Sequence, residues 1–259
     1  MLIDTHAHVN DPVYGEETHR IFSSMGAENL ERIVCVGTNE ETSREVIALA
    51  EKYERVYATV GVHPSDAPSV SANYLDALEK LAKGKKCVAI GEIGLDYHYE
   101  DTDKEAQKKC LVEQIDLANK LCLPVVFHVR DAFGDFNEIL AAHGHKLRAG
   151  GIMHCYSGSR ELAESYVKQG FYVSFSGSIT FKNNRKAAEV IDAVPLDRIL
   201  AETDCPYLTP EPHRGKLNYP AYVTYQVKKI AEVKGIPYDE AVRITTENAY
   251  KAFPKLKGE

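Results

Sequence analysis

The sequence predicts a (β/α)8 barrel of the TIM type with an additional C-terminal helix, spanning 1–259 as one domain. Three observations carry this prediction. Eight short, β-branched apolar runs alternate with longer amphipathic stretches, the signature of strands joined by helical crossovers into a parallel sheet. Those runs are nearly continuously apolar instead of alternating, as expected of strands covered on both faces. The length, 259 residues, matches the roughly 250 residues at which such barrels form a single unit. An open, doubly wound sheet is the alternative.

In chain order the expected strands are Leu2–His6, Arg32–Gly37, Val56–His63, Cys87–Ile93, Pro124–Val129, Gly150–Tyr156, Phe171–Ser176 and Arg198–Glu202. Thr38 with Glu41, and Thr102 with Glu105, fit the spacing of capping boxes at helix starts. Ser159 and Asn183 are expected to cap the helices that follow them. Two further helices, near 221–234 and 239–253, close the chain. No linker, internal repeat or low-complexity tract interrupts this series.

Composition narrows the function classes. A net charge of −7 argues against a protein that coats nucleic acid by bulk attraction, without excluding a local positive site. No apolar run approaches the roughly 18 residues of a membrane span, and no basic stretch leads into an apolar core at the N-terminus. The six cysteines show no paired CxxC spacing; Cys35, Cys87, Cys155 and Cys205 sit in or beside apolar runs and read as buried free thiols of a reducing, cytoplasmic compartment. Cys155 and Cys205 adjoin the expected site and leave a nucleophile reading open. The chain is expected to act as a monomer, with no membrane partner.

The unusual polar residues gather at one place on this map. His6 and His8 end the first strand, His63 the third, Glu92 the fourth, His128 the fifth, His154 the sixth and Asp204 the eighth. In a parallel barrel the C-terminal strand ends form a single rim, where such enzymes place their chemistry. Burying these groups there is costly unless they pair or ligate a cation. Asp4 lies on the same side, deeper in the strand.

Four imidazoles and two carboxylates exceed the three protein ligands of a catalytic single-zinc site and suit two cations about 3.5–4 Å apart. His6, His8 and Asp204 are assigned to one ion and His128 and His154 to the other, with Glu92 bridging. Asp204 is the expected proton acceptor for an attacking water. His63 is expected to orient that water or stabilise developing charge. The ligand types suit Zn2+ and Mn2+, and two dications would leave the mouth locally positive for an anionic substrate. Arg130, Lys182, Arg185, Arg214 and Lys216 are candidate phosphate contacts. Tyr97, Tyr99, Tyr156, Phe181, Tyr207 and Tyr219 are candidates to stack a base. His19, His98, His143 and His145 read as surface or supporting residues, and His213 falls in a loop near the rim.

The blocks IDTHAHVN, GVHP, AIGEIGLDY, VVFHVRDA, HCYSGS, LAETDCPYLTP and HRGKLNYP resemble, in this order, those of the TatD-type metal-dependent deoxyribonucleases, a branch of the amidohydrolase-like barrels. The resemblance implies hydrolysis of DNA phosphodiesters, often as a 3′-to-5′ exonuclease on single strands or ends, with divalent metal, Mg2+ included. It implies metal ligation by His6, His8, Glu92, His128, His154 and Asp204, and supporting roles for His63, Arg130, Glu202 and Arg214. One departure stands out. After the RGK block the family usually carries Asn-Glu-Pro, whereas here Asn218 is followed by Tyr219 and Pro220. The competing reading is a hydrolase of carboxylic esters or amides, such as a D-aminoacyl-tRNA deacylase, built on the same metals.

Overall fold

The computed structural model describes residues 1–144 and 147–258. Strands and helices alternate in the order β1 (Leu2–Ala7), α1 (Glu17–Ser24), β2 (Leu30–Val36), α2 (Glu40–Lys52), β3 (Val56–Val60), α3 (Tyr74–Ala82), β4 (Cys87–Asp96) and α4 (Lys104–Leu121). They continue as β5 (Val125–Arg130), α5 (Phe133–His143), β6 (Gly151–Met153), α6 (Arg160–Lys168), β7 (Tyr172–Phe175), α7 (Arg185–Ala193), β8 (Ile199–Ala201), α8 (Val223–Lys234) and α9 (Tyr238–Ala252). The eight strands pair in chain order, each parallel to its neighbour.

The last seam, β1 against the tip of β8, is short. Asp204 N donates to His6 O (2.9 Å) and His8 N to Cys205 O (2.8 Å), around a parallel bridge between Ala7 and Cys205. The residues that close the barrel are thus neighbours of the candidate ligands. Buried Asp4 braces the same seam by accepting from Thr203 N (2.9 Å) and Thr203 Oγ1 (2.5 Å). Burial pushes its carboxyl up to about 8, against the pull of the Thr203 bonds.

Two apolar layers form. The larger lies between the strands and the helices around them. The smaller, inside the barrel, takes Ile3, Val34, Tyr57, Val88, Val126, Ile152, Tyr172 and Leu200, drawn from all eight strands. Ala249, Ala252, Phe253 and Leu256 join that inner cluster, and Asn248 Nδ2 donates to the carbonyls of Leu196 and Ile199 at the foot of β8. The additional C-terminal helix therefore plugs the floor of the barrel and leaves the opposite end for polar groups. Among the described residues no helix is long and apolar enough to cross a membrane.

Several expected boundaries move, each for a local reason. Helix α2 is capped by Asn39, not Thr38: the Asn39 side chain accepts from Thr42 N while Thr42 Oγ1 accepts from Asn39 N, both at 3.0 Å. Asparagine outranks threonine as a cap. Asp103 caps α4 through Ala106 N (3.0 Å), and Thr102 turns its hydroxyl to Tyr99 O (2.7 Å) instead. Ser159 caps α6 as expected, whereas α7 starts one residue later than expected, on Asn184. β3 stops at Val60 and β6 at Met153, so His63 and His154 lie in the turns beyond, while β4 runs on past Glu92 to Asp96.

Candidate metal centre and substrate cleft

β4 carries Glu92, Gly94 and Asp96 at two-residue spacing, which puts them on one face of the strand. At Gly94, paired with His128 of β5, an added Cβ would lie 1.8 Å from the His128 carbonyl oxygen. Only glycine lets the two backbones approach closely enough for Glu92 and Asp96 to reach the His128 ring. Asp204 takes the left-handed conformation (φ 56°) just beyond β8, one that Asp tolerates better than most residues.

Glu92 lies at the centre of the site, and its two oxygens face different partners. Oε2 is 3.3 Å from His6 Nε2 and 3.7 Å from His8 Nε2. Oε1 is 2.8 Å from His128 Nδ1, 3.3 Å from His154 Nε2 and 3.9 Å from His63 Nε2. Asp204 Oδ1 stands 3.7, 3.5 and 4.0 Å from the Nε2 atoms of His6, His8 and His154. The structure thus brings all six expected ligands together, with His63 at the edge. The imidazoles of His6 and His8 converge to 3.2 Å between Nε2 atoms.

The donor set fits a metal. Two ligand atoms at about 2.0–2.1 Å from a tetrahedral zinc stand roughly 3.3–3.4 Å apart, and the separations of His6 and His8 from each other and from Glu92 Oε2 and Asp204 Oδ1 run from 3.2 to 3.7 Å. Ring nitrogens of His6 and His8 that face each other inside a shell of carboxylate oxygens are where a cation would sit. The rings of the second set are gripped from behind. His154 Nδ1 lies 2.8 Å from Glu202 Oε1, and His128 Nε2 lies 3.2 Å from Asp96 Oδ2. Glu202 is itself fixed by Cys155 N (2.7 Å) and Ser174 Oγ (2.6 Å).

Protonation follows from this packing. Burial alone would raise Glu92, but the charges of His154 and His6 and a hydrogen bond from His128 outweigh it and hold the carboxyl well below its usual range. Asp204 is lowered in the same way, burial being overcome by His154 and a bond from His8. Burial opposes charge on His154, yet Glu202 and Glu92 raise it to about 10, while Asp96 and Glu92 raise His128 to about 9. Burial lowers His6, whereas at His8 the Asp204 carboxylate overcomes burial and raises the ring. At His63 burial wins over the attraction of Glu92 and pushes the ring down to about 4. Ser65 N donates to His63 Nδ1 (3.1 Å), which assigns the ring proton to Nε2, aimed at the mouth. Burial raises the thiols of Cys155 and Cys205 above their ordinary range, so both are protonated at neutral pH and unsuited as nucleophiles.

A cleft of about 740 Å³ opens over these groups, lined among others by Asn10, Asp11, Thr38, Glu41, Glu45, Tyr99, Arg130 and Tyr207. Of the expected substrate contacts, Arg130 is there. Exposed Lys182 and Arg214 lie on the rim loops outside the cleft lining, with the Arg214 guanidinium 4.1 Å above the Phe181 ring. Tyr156 does not reach the cleft. It is buried, its hydroxyl donates to Ser159 O (2.7 Å), and its ring packs on Phe133 and Tyr166; the expectation that it contacts substrate is withdrawn. His19 bonds Tyr53, His98 pairs with exposed Asp131, and His213 bonds Tyr225 and stacks on Tyr222. His145 lies outside the described residues.

Sequence reasoning gave Asp96 no role. The signal was present: Asp96 stands four residues after Glu92 and therefore on the same face of a strand. The missing Glu after Asn218 is compensated locally. Buried Asn218 donates to Thr203 O (3.0 Å) and Tyr207 O (2.5 Å), and Tyr219 reaches Glu17 through its hydroxyl (2.8 Å).

Comparison with known proteins agrees with this geometry. The sequence profile of the TatD-related DNases matches residues 3–254. The chain is 45% identical to a Bacillus subtilis protein named as the uncharacterized metal-dependent hydrolase YabD, covering 98% of this chain and 99% of that one. It is 34% identical to YcfH of Escherichia coli, likewise named an uncharacterized metal-dependent hydrolase, over 97% and 95% of the two chains. The crystal structure of YjjV, a TatD homologue from Escherichia coli K12, superposes with a TM-score of 0.92 at 31% identity, covering 98% of both chains. The sequence match, the superposition and the order of the strand-end residues lead to one conclusion: this chain belongs to the TatD-related DNase family of metal-dependent hydrolases.

Proposed function

We propose that this protein hydrolyses phosphodiester bonds in DNA, as an exonuclease working from single-stranded ends, with two divalent cations of the Mg2+, Mn2+ or Zn2+ type. The observation that carries the reading is the split carboxylate of Glu92, with Oε2 toward His6 and His8 and Oε1 toward His128 and His154. His6, His8 and Asp204 would hold one ion, His128 and His154 the other. When bound, the cations supply Lewis acidity toward a phosphoryl oxygen and make a water acidic enough to lose its proton near neutral pH.

The chain's own residues do the rest. Asp204, held as a carboxylate below its ordinary range, accepts the proton of the attacking water. Neutral His63 presents its Nε2–H to oxygen charge that develops in the transition state. Glu202 and Asp96 fix the rings of His154 and His128, so the reacting groups need not reorganise. Arg130, on the cleft wall, contacts a phosphate next to the scissile one. The family's description as DNases supports DNA over a carboxylic ester.

The test is release of mononucleotides from single-stranded DNA with each added ion, run beside Asp204→Asn. The variant is expected to lose roughly 10²–10⁴-fold in kcat. A wild-type enzyme that cleaves carboxylic esters or aminoacyl-tRNA, and no phosphodiester with any ion, overturns the reading.

A further inference from the structure

Among the described residues, the large apolar or aromatic side chains left exposed are Met1, Val13, Tyr99 and Tyr207. Both tyrosines line the cleft over the candidate metal centre. Tyr99, 68% exposed, belongs to the loop after β4, and Tyr207, 56% exposed, to the loop after β8. Three strands lie between β4 and β8 either way round the ring of eight, so the two loops approach the mouth from opposite sides. Leaving a large aromatic surface in water forgoes burial free energy, and here both such rings border one cavity.

The remaining aromatic candidates on the rim do not line this cleft: Tyr97 and Tyr219 are half-buried, Tyr156 is buried and Phe181 lies under Arg214. Tyr207 is anchored: its hydroxyl donates to Asp11 Oδ2 (3.1 Å), and its ring lies 6.1 Å from that of His8. The backbone carbonyl of Tyr99 accepts from Thr102 Oγ1 (2.7 Å).

Charge in the cleft is divided. Histidines apart, Arg130 is the one cationic side chain among the described residues of the lining, and it sits on the β5 side. The arm over β1 and β2 carries Asp11, Glu41 and Glu45 beside Asn10, with Asn10 Nδ2 bonded to Glu45 Oε2 (3.0 Å). Carboxylates repel a phosphate backbone but accept hydrogen bonds from the amino groups of a base. A volume of 740 Å³ falls within the range of about 300–1,000 Å³ usual for small-ligand pockets, enough for a nucleotide or two and too small for a duplex.

We propose that Tyr99 and Tyr207 form a clamp that stacks the unpaired terminal base of a DNA strand across the metal centre, with the acidic arm excluding further phosphates and Arg130 marking the side from which the strand enters. This deepens the proposed function and rests on it: the clamp sets the preference for a frayed or single-stranded end. The tyrosines are positioning residues and take no part in bond cleavage.

The test pairs Tyr99→Leu and Tyr207→Leu with two single strands, one ending in a normal base and one ending in an abasic nucleotide. On the normal end each variant is expected to raise KM roughly 5- to 100-fold, the span of one lost stacking contact, with a smaller change in kcat. On the abasic end the rise in KM shrinks to less than about 3-fold, because no base remains to stack. Tyr207→Phe, which keeps the ring, restores most of the affinity. In parallel, a strand carrying 2-aminopurine at its terminus is titrated with protein in Ca2+. Wild type is expected to quench the fluorescence on binding, and the leucine variants to lose that quenching. Equal losses on both ends, or unchanged KM and unchanged quenching, overturn the clamp while phosphodiester cleavage by wild type leaves the proposed function standing. If wild type cleaves neither strand the proposed function falls, and the 2-aminopurine titration still decides the clamp.

Discussion

The two donor sets on either side of Glu92 are built differently. His6, His8 and Asp204 come from the seam where β1 meets the tip of β8, and their positions depend on the hydrogen bonds that close the barrel. His6 Nδ1 has no hydrogen-bond partner among the described residues, and His154 Nδ1 meets Glu202 Oε1 at 2.8 Å as an ion-pair contact instead of a hydrogen bond. His128 and His154 each have the far nitrogen held by a carboxylate, Asp96 or Glu202. One set is positioned by the backbone, the other by polar side chains behind it. The difference means that the same loss of a carboxylate should act differently on the two sides.

Glu92→Gln has the largest expected effect, because it removes the charge shared by both sets. Metal content measured by mass spectrometry is expected to fall from two ions per chain to one or none, with activity reduced by about 10³-fold or more. Replacing Asp96, whose carboxylate faces His128, by Asn separates the two sides. Affinity for the ion at His128 and His154 should weaken roughly 10- to 100-fold, the usual cost of losing a group that orients a ligand. The ion at His6, His8 and Asp204 should bind as before. Calorimetric titration resolves the two steps, and equal weakening of both would erase the distinction.

The sets also differ in protons. His128 and His154, raised to about 9 and about 10, are cationic at pH 7 in the metal-free protein, whereas ligation needs neutral rings. Uptake of metal at pH 7 should therefore release protons, and apparent affinity should rise with pH through 9 to 10. Titration in buffers of differing ionisation enthalpy measures the release. Stability of the metal-free protein carries the opposite sign. These folded values lie above the ordinary histidine value, so their stabilisation is complete below about pH 6.5 and is lost as pH rises through 9 to 10. The melting temperature without metal should fall over that range. At the small end, Tyr156→Phe removes a buried bond to Ser159 O and should cost about 1 kcal/mol of stability, leaving kcat/KM unchanged.

Much of this was legible in the sequence, for reasons that differ from residue to residue. Strand order and the convergence of His6, His8, Glu92, His128, His154 and Asp204 follow from strand-end placement, because a parallel barrel turns sequence position into a common rim. Asp96 was missed because its four-residue offset from Glu92 counts only if β4 extends beyond the apolar run that marked it, and pairing with β5 supplies that extension. Tyr156 was misplaced because a tyrosine after a strand can point inward or outward, and its partners Phe133 and Tyr166 come from other helices. Helix starts slipped by a residue where two capping residues adjoin, as at Thr38 and Asn39 or Asn183 and Asn184.

Anomalous diffraction from crystals grown with Mn2+ or Zn2+ locates the ions. Two peaks are expected about 3.5–4 Å apart, one among His6, His8 and Asp204, the other between His128 and His154, with a Glu92 oxygen on each. A single peak, or peaks away from the Glu92 carboxylate, would contradict a two-ion centre.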